Sequence, residues 1–420
     1  MKIIRLSISA LVAAFATALV AHAQDTQTEA TVTAISGSVT IKLPDGSSSP
    51  ATPGMKLPQG AEIITGVGAQ ATIQSHEGIV SVLGEKADAT LNKLSVSASG
   101  MRNAEIGLKS GSIASSLDPA KKSSNNYGVR TIKGVAAARG TNYSVTIDGA
   151  TYTVAVGSGS VDSNGTSVPS GNVYYTPAGG GAPVVTTLAA LVASQPATAS
   201  SVVSLIATAV ASNPSSTAQS VGSVVQTLAA SAGSGTNATN VVAAAAAAAS
   251  ATFATQSGQS GNATAITTTI ANAAVAGAVT AGNSQGAGAI VTTTAIAVTT
   301  ATSTLGTSVV DVKSNAAALA TTVANVVNGT SSTPGTTGAL AGSGNAINTT
   351  TITNTVNSST IAPSSVGAAP TVTTSTGTAA TVTTPTSTGG TSTPTTINTT
   401  QTPSTPIVDP GIVSASGGHP

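Results

Sequence analysis

The chain has 420 residues, of which 14 are Lys or Arg and 13 Asp or Glu, with a formal net charge of +1. A charged share of 6% is far below the roughly 25% of an ordinary soluble domain, so a single average globular enzyme is excluded. With no Trp, two Phe and five Tyr there is little from which to build stacking platforms, nucleic acid is an unexpected partner, and the absence of Cys removes disulfides, thiolate catalysis and Cys-ligated zinc together.

Lys2 and Arg5, an apolar run from Leu6 to Val20 and then Ala21-His22-Ala23 before Gln24 form the charged, apolar and small-residue parts of a secretory signal peptide, read here as residues 1–23. The run is short for a bilayer span of about 20 residues. No transmembrane segment is expected after cleavage. The mature chain is expected to be exported, to the periplasm, the cell surface or the medium.

Of the 27 charges, 22 fall between Asp25 and Asp162, and only Asp311, Lys313 and Asp409 come later. All five tyrosines lie between residues 127 and 175, so the means to specify a core are concentrated in the head, and residues 24–180 are read as one domain. Alternating apolar and polar residues at 30–35, 38–43, 61–64, 71–74, 79–83, 142–147 and 151–156, each bounded by Gly or Pro, have the period of strands. The head is therefore expected to be all-β.

Beyond Gly179-Gly180-Gly181 the period changes. Val184, Val185, Leu188, Ala189, Val192, Ala193, Ser194 and Pro196 recur eighteen residues later as Val202, Val203, Ile206, Ala207, Val210, Ala211, Ser212 and Pro214, spacings that describe one helix face. Residues 181–333 are read as a degenerate helical repeat, helical through about 280, with the run Ile290–Val298 fitting helix or strand. From 334 to 420 the chain holds nine prolines among Thr, Ser and Gly, too little apolar surface to offset ordering, and disorder is expected.

Candidate chemistry is sparse. His76, in Ser75-His76-Glu77-Gly78, is read as a solvated hairpin turn rather than a relay base, because no G-x-S-x-G elbow stands beside it. Glu62, Glu77, Glu85, Asp88, Glu105, Asp118, Asp148 and Asp162 lack the spacing of a calcium loop. Gly157-Ser158-Gly159-Ser160 and Gly179-Gly180-Gly181 read as turn and linker, not phosphate loops, and Lys121-Lys122 as a polar loop. In Arg139-Gly140-Thr141 a sharp corner is expected, with positive φ at Gly140, a local bond from Thr141, and Arg139 partly covered and bonded to backbone carbonyls. No catalytic, cofactor or metal residue is nominated.

Thr131, Gly134, Arg139, Gly140, Thr141, Tyr143 and Val145 fit the pattern T-P-x-G-x-x-x-x-R-G-T-x-F-x-V, with Ile132 in the place of Pro. With Gly54 to Gly66, Leu108 to Ile113 and Val154 to Val161, these residues make the head, about 30–165, resemble the FecR-like domain of iron-citrate regulators and of many secreted bacterial proteins. The resemblance implies an all-β roll or short β-helix-like domain and transfers no catalytic residue. Those regulators carry a sigma-binding segment and a membrane helix ahead of the β domain, where this chain has a cleavable signal. The expectation is thus a secreted, non-enzymatic binding, adhesive or envelope/matrix module. Its partner would be an unknown protein or a cell-envelope polymer, with self-association through the tail; the alternative is a periplasmic component of a FecR-type signalling system.

Overall fold

A computed structural model describes residues 25–177, 181–256, 259–303, 307–331, 337–361 and 382–383. The signal peptide of residues 1–23 and most of the Thr/Ser/Pro/Gly-rich segment beyond 361 lie outside the described residues, as do Gly179 and Gly180.

The head is built of strands, as its period of two requires. One sheet contains β1 (Thr26–Gln27), β3 (Val39–Lys42), β4 (Ser48–Pro50), β6 (Glu62–Thr65), β9 (Asp88–Val96), β11 (Asn125–Thr131), β12 (Gly134–Ala138), β15 (Ser160–Ser163) and β16 (Thr166–Pro169). The other contains β2 (Ala30–Ser36), β5 (Lys56–Leu57), β7 (Gln70–His76), β8 (Ile79–Leu83), β13 (Asn142–Asp148), β14 (Thr151–Ser158), β17 (Asn172–Thr176) and β18 (Val184–Thr187). The sixteen-residue β10 (Arg102–Leu117) belongs to both: its first half pairs with β9 and, in parallel, with β11, and its second half with β8 and β13. It changes sheets near Gly111, whose φ of +79° and approach to the Ala87 backbone leave no room for a side chain.

Between the sheets lie Ile63, Ile73, Leu83, Leu91, Ile106, Val129 and Val145, all fully buried. Tyr127 and Tyr143 meet edge to face at 6.4 Å, and so do Tyr152 and Tyr174 at 5.9 Å. Buried phenols need partners: Tyr127 Oη lies 2.8 Å from Ser81 Oγ and 2.7 Å from Ser115 Oγ, and Tyr152 Oη lies 3.2 Å from Ser163 Oγ.

Five consecutive residues of β8 are buried, which alternation alone does not explain. Ile79 and Leu83 face the inter-sheet core, whereas Val82 joins Ala114, Ala155 and Val173 in a second core made with the helices. This sheet is covered on both faces. The helices are α1 (Leu188–Ser194), α2 (Pro196–Ser212), α3 (Ala218–Ser231), α4 (Thr236–Ala254), α5 (Ala263–Thr280), α6 (Ala287–Thr302), α7 (Val309–Val327) and α8 (Thr349–Ser358). Helix α2 lies on β8, β10, β13 and β14, and α3 touches β14. Gly157 admits them: a Cβ there would meet Ile206 Cγ2 at 2.9 Å and Val224 Cγ1 at 3.4 Å. Asn213, at the end of α2, donates to Ser116 O (3.2 Å) and reaches Ser116 Oγ (3.1 Å) across 97 residues of chain.

Farther out, α4 packs against α2 and α6, and α3 against α5. The Ala243–Ala249 run makes α4 the hub, because Ala has the best helix propensity, loses no rotamer freedom and lets neighbouring backbones come close. Threonine is tolerated inside helices where its hydroxyl bonds back one turn, as Thr267 to Ala263 O (2.6 Å), Thr268 to Thr264 O (2.8 Å) and Thr294 to Ile290 O (2.7 Å). Those bonds answer the ambiguity of Ile290–Val298, which is helical. Helix α5 is long and apolar enough by length and composition to span a membrane, yet half of it is buried here, with Ile270, Ala274 and Val275 fully enclosed.

Three expectations change. Strand β18 lies beyond residue 180, so the β region runs past the expected boundary. The 18-residue spacing does not repeat one helix: Val184 and Val185 are exposed on β18, while Val202 and Val203 are buried on α2, because pairing with β17 holds the first copy extended until Thr187 caps α1. Order also continues past 334. Asn272 donates to Thr337 O (2.9 Å) and accepts from Ala339 N (2.8 Å), Asn328 does the same with Ile347 (3.0 and 2.8 Å), and α8 buries Ile352 and Val356. Backbone capture by two asparagines supplies what composition lacked. A short ladder joins β19 (Ala346–Ile347) to β20 (Val382–Thr383).

Asn213→Ala leaves the buried Ser116 carbonyl without its side-chain donor, and the expected loss is about 1–3 kcal/mol. Chemical denaturation of the full chain measures it; an unchanged midpoint would mean that α2 is held by apolar contact alone.

Candidate functional site

The Arg-Gly-Thr corner follows β12. Gly140 has φ +64°, and a Cβ there would stand 2.9 Å from Pro119 Cα and 3.1 Å from Lys122 Cβ, so both the turn and the neighbouring loop require glycine. Thr141 is fully buried and donates to Arg139 O (3.3 Å) and Ser160 O (3.0 Å), which closes the corner on β15. Arg139 departs from expectation: it is exposed and makes no side-chain hydrogen bond, since Thr141 and the backbone already satisfy the carbonyls it was expected to serve. Gly159, in the Gly157–Ser160 run, turns the chain from β14 to β15 at φ +77°.

His76 also corrects its reading. The hairpin turn is Glu77-Gly78, and His76 is the last residue of β7, only 9% exposed. Its Nε2 lies 3.1 Å from Thr28 Oγ1, and its Nδ1 has no partner. Burial first, and then the neighbouring Arg102 charge, hold its pKa below the ordinary 6.5. Sequence gave no sign of this burial, because Ser-His-Glu-Gly has the composition of a turn.

The acidic residues are distributed over ion pairs and caps. Glu62 is bound by Lys109 and, at 3.4 Å, by Lys42, while Asp88 lies 3.3 Å from Lys109. The Lys109 ammonium holds Glu62 down at about 2; Asp88 moves the other way, raised by burial and by the Glu62 carboxylate. Glu105 takes Arg130 Nε and Nη2 at 2.9 Å each. Glu77 binds Arg102 (3.3 Å) and Lys121, Asp118 caps Ala120, Asp162 accepts from Gly165 N, and Glu85 accepts from Gly68 N. Among the described residues no three His, Cys, Asp or Glu converge as metal ligands. No nucleophile, base and acid are brought together around any of the residues singled out from sequence.

What the fold does present is asymmetry. One sheet is covered by helices over β8, β10, β13 and β14, whereas the outer face of the other carries Lys42, Glu62, Asp88, Lys109, Glu105 and Arg130 on adjacent strands.

Residues 61–162, from the strand β6 to the strand β15, match the family model described as FecR protein. No curated protein matches the chain. Two crystal structures of a candidate anti-sigma factor from Parabacteroides distasonis align at 15% identity over 30% of this chain and 59% of that one, with a TM-score of 0.25. The chain thus spans about three fifths of that protein, a likeness too slight to bear on fold or function.

Two outcomes follow. Gly140→Val destabilises the head by more than about 1 kcal/mol, because it puts β-branched bulk at positive φ, while Arg139→Ala leaves the thermal midpoint unchanged. Lys109→Met lets the Glu62 pKa rise from about 2 toward the ordinary 4.5, read by carboxyl carbon NMR. A depressed carboxylate adds stability that is present above 4.5 and lost as pH falls toward 2, so the variant loses less stability than the parent across that window.

Proposed function

We propose that this FecR-domain chain is an exported, non-enzymatic component of a FecR-type regulatory system, in which the β domain receives a protein partner on its charged sheet face and the helices form the platform behind it. The observation that carries the reading is the family match at 61–162, which coincides with the strands around the shared strand β10 rather than with the helices. The surface fits a protein partner: opposite charges interspersed on a rigid sheet give register and orientation, not the uniform field that attracts nucleic acid. The apolar leader at Leu6–Val20 supports export.

A second reading, an envelope or matrix module, is favoured by one feature. Between residues 183 and 361 the only charged residues are Asp311 and Lys313, so the helical surface lacks the self-repulsion that keeps ordinary domains apart.

The test compares transcripts in cells carrying the parent chain, the Gly140→Val chain and no chain, beside sedimentation of the envelope fraction. A shared transcriptional change in the latter two supports the regulatory reading. Unchanged transcripts with altered envelope cohesion would overturn it in favour of the matrix reading.

A further inference from the structure

One end of the head is built unlike the rest. The chain enters through β1, two exposed residues paired antiparallel with Val96 and Ser95 of β9. Thr28 follows, and it is fastened twice: its N–H donates to Leu94 O at 3.2 Å, and its hydroxyl lies 3.1 Å from His76 Nε2. Beneath this point the packing is polar and incompletely bonded. Ser75 Oγ, His76 Nδ1 and both amide atoms of Asn125 are buried without partners, although Ser75 is 2% exposed and Asn125 fully enclosed. Asn125 stands beside Arg102 in the parallel ladder, and Arg102 is the cation felt by His76. Four buried polar atoms without a protein partner in one part of the head make its closure here costly compared with a fully bonded core.

We propose that His76 is a proton-operated latch, which fastens the N-terminal strand β1 to the head while its imidazole is neutral and releases it when the ring is protonated. A neutral ring needs one donor and one acceptor role, and Thr28 serves one of them. An imidazolium donates from both nitrogens. Nδ1 makes no hydrogen bond, so the added proton would be buried with only the nearby Ser95 carbonyl to favour it, against burial and the Arg102 charge.

The charges around the ring do not relieve this. Arg102, from β10, opposes protonation directly. Glu77, next in sequence, is taken by Arg102 and Lys121. Asp25, beyond β1, is taken by Ser95 Oγ at 3.1 Å and Lys93 at 3.5 Å, and Glu29 beside Thr28 is exposed. Only the Ser95 carbonyl favours the charged ring. The protonated side chain therefore reaches water most cheaply by displacing what covers it, and the cover is Thr28 with the two-residue strand before it.

The sign follows from linkage. A histidine whose folded value lies below 6.5 stabilises the closed form above 6.5, and that stability is lost as pH falls below it. His76 is the one imidazole among the described residues, so no other such group there titrates in that window. Release would turn residues 25–29 into a free arm of roughly 16 Å at about 3.3 Å per residue. It would also uncover the edge of β9 at Ser95 and Val96, which β1 pairs with while the latch is closed. The latch does not rest on the regulatory reading, and it would operate equally in a matrix module.

Hydrogen exchange of the full chain tests it, comparing protection of residues 25–30 and 94–97 at pH 7.5 and pH 5.0 after correction for intrinsic rates. Protection in the parent is expected to fall at least tenfold at pH 5.0 there, while β13 and β14 stay protected. In His76→Gln, whose amide can keep the Thr28 bond but takes up no proton, the two pH values should agree. In Thr28→Val, which removes the bond and keeps the shape, protection should be low at both. Equal protection of the parent at the two pH values, or an undiminished pH effect in His76→Gln, would overturn the proposal, and the parent comparison decides even if both variants fail to fold.

Discussion

The structure depends on one constraint: the sheet containing β8, β13 and β14 has two apolar faces, and each must be covered. Val82, Ala114, Ala155 and Val173 point away from the tyrosine-lined interior and would lie in water without α2 and α3. At about 25 cal/mol per Å² of apolar surface, burial of such a face rivals the net stability of a small domain, so the helices are part of what keeps the head folded. The side chains at the seam are small where backbones come close, as at Gly157 and Ala114, and long where a gap must be filled, as at Ile206 and Leu205. Asn213 then fixes the registry that apolar contact alone would leave loose.

The helices solve their own problem with the same economy. Their sequence has almost no large side chains, and a core of Ala and Val buries little area per residue. Close approach compensates. A Cβ at Gly277 would overlap Gln226 O and Ala229 on α3, and Gly222 faces Ala273 in the same pair. Dispersion between closely packed backbones replaces the bulk that Leu and Phe would supply. Capture of backbone carbonyls by Asn272, Asn283 and Asn328 replaces the ion pairs that a nearly charge-free region lacks.

Much of the strand content was legible because alternation is a local property. Strands such as β2, β7 and β14 carry their period within a few residues, and Gly140 announced its corner because only backbone with positive φ needs glycine between a strand and a threonine that must turn inward. What was not legible is set by partners distant in sequence. The double burial of β8 depends on helices more than a hundred residues later, so no window around 79–83 contains it. The order of 337–358 depends on Asn272 and Asn328, and its composition alone argues for the opposite state. The burial of His76 depends on Thr28, forty-eight residues away, and Arg139 misled for the converse reason: five donors suggest a structural role, yet the corner had already spent its carbonyls on Thr141.

The division between the faces bears directly on what the chain can do. A partner that approached through the helical side would have to displace a packed core, whereas the outer face of the sheet carrying Glu62 and Arg130 can be reached without disturbing any buried contact. The family match lies in the part that owns this face. Its ion pairs are exposed and individually weak, so they contribute little to stability and can be exchanged for pairs with another protein at little cost. Glu62 and Glu105 are the exceptions: Glu62 is bound by two lysines and held at about 2, and Glu105 is gripped by both Nε and Nη2 of Arg130, so these two carboxylates fix the face while its other charges remain open to exchange.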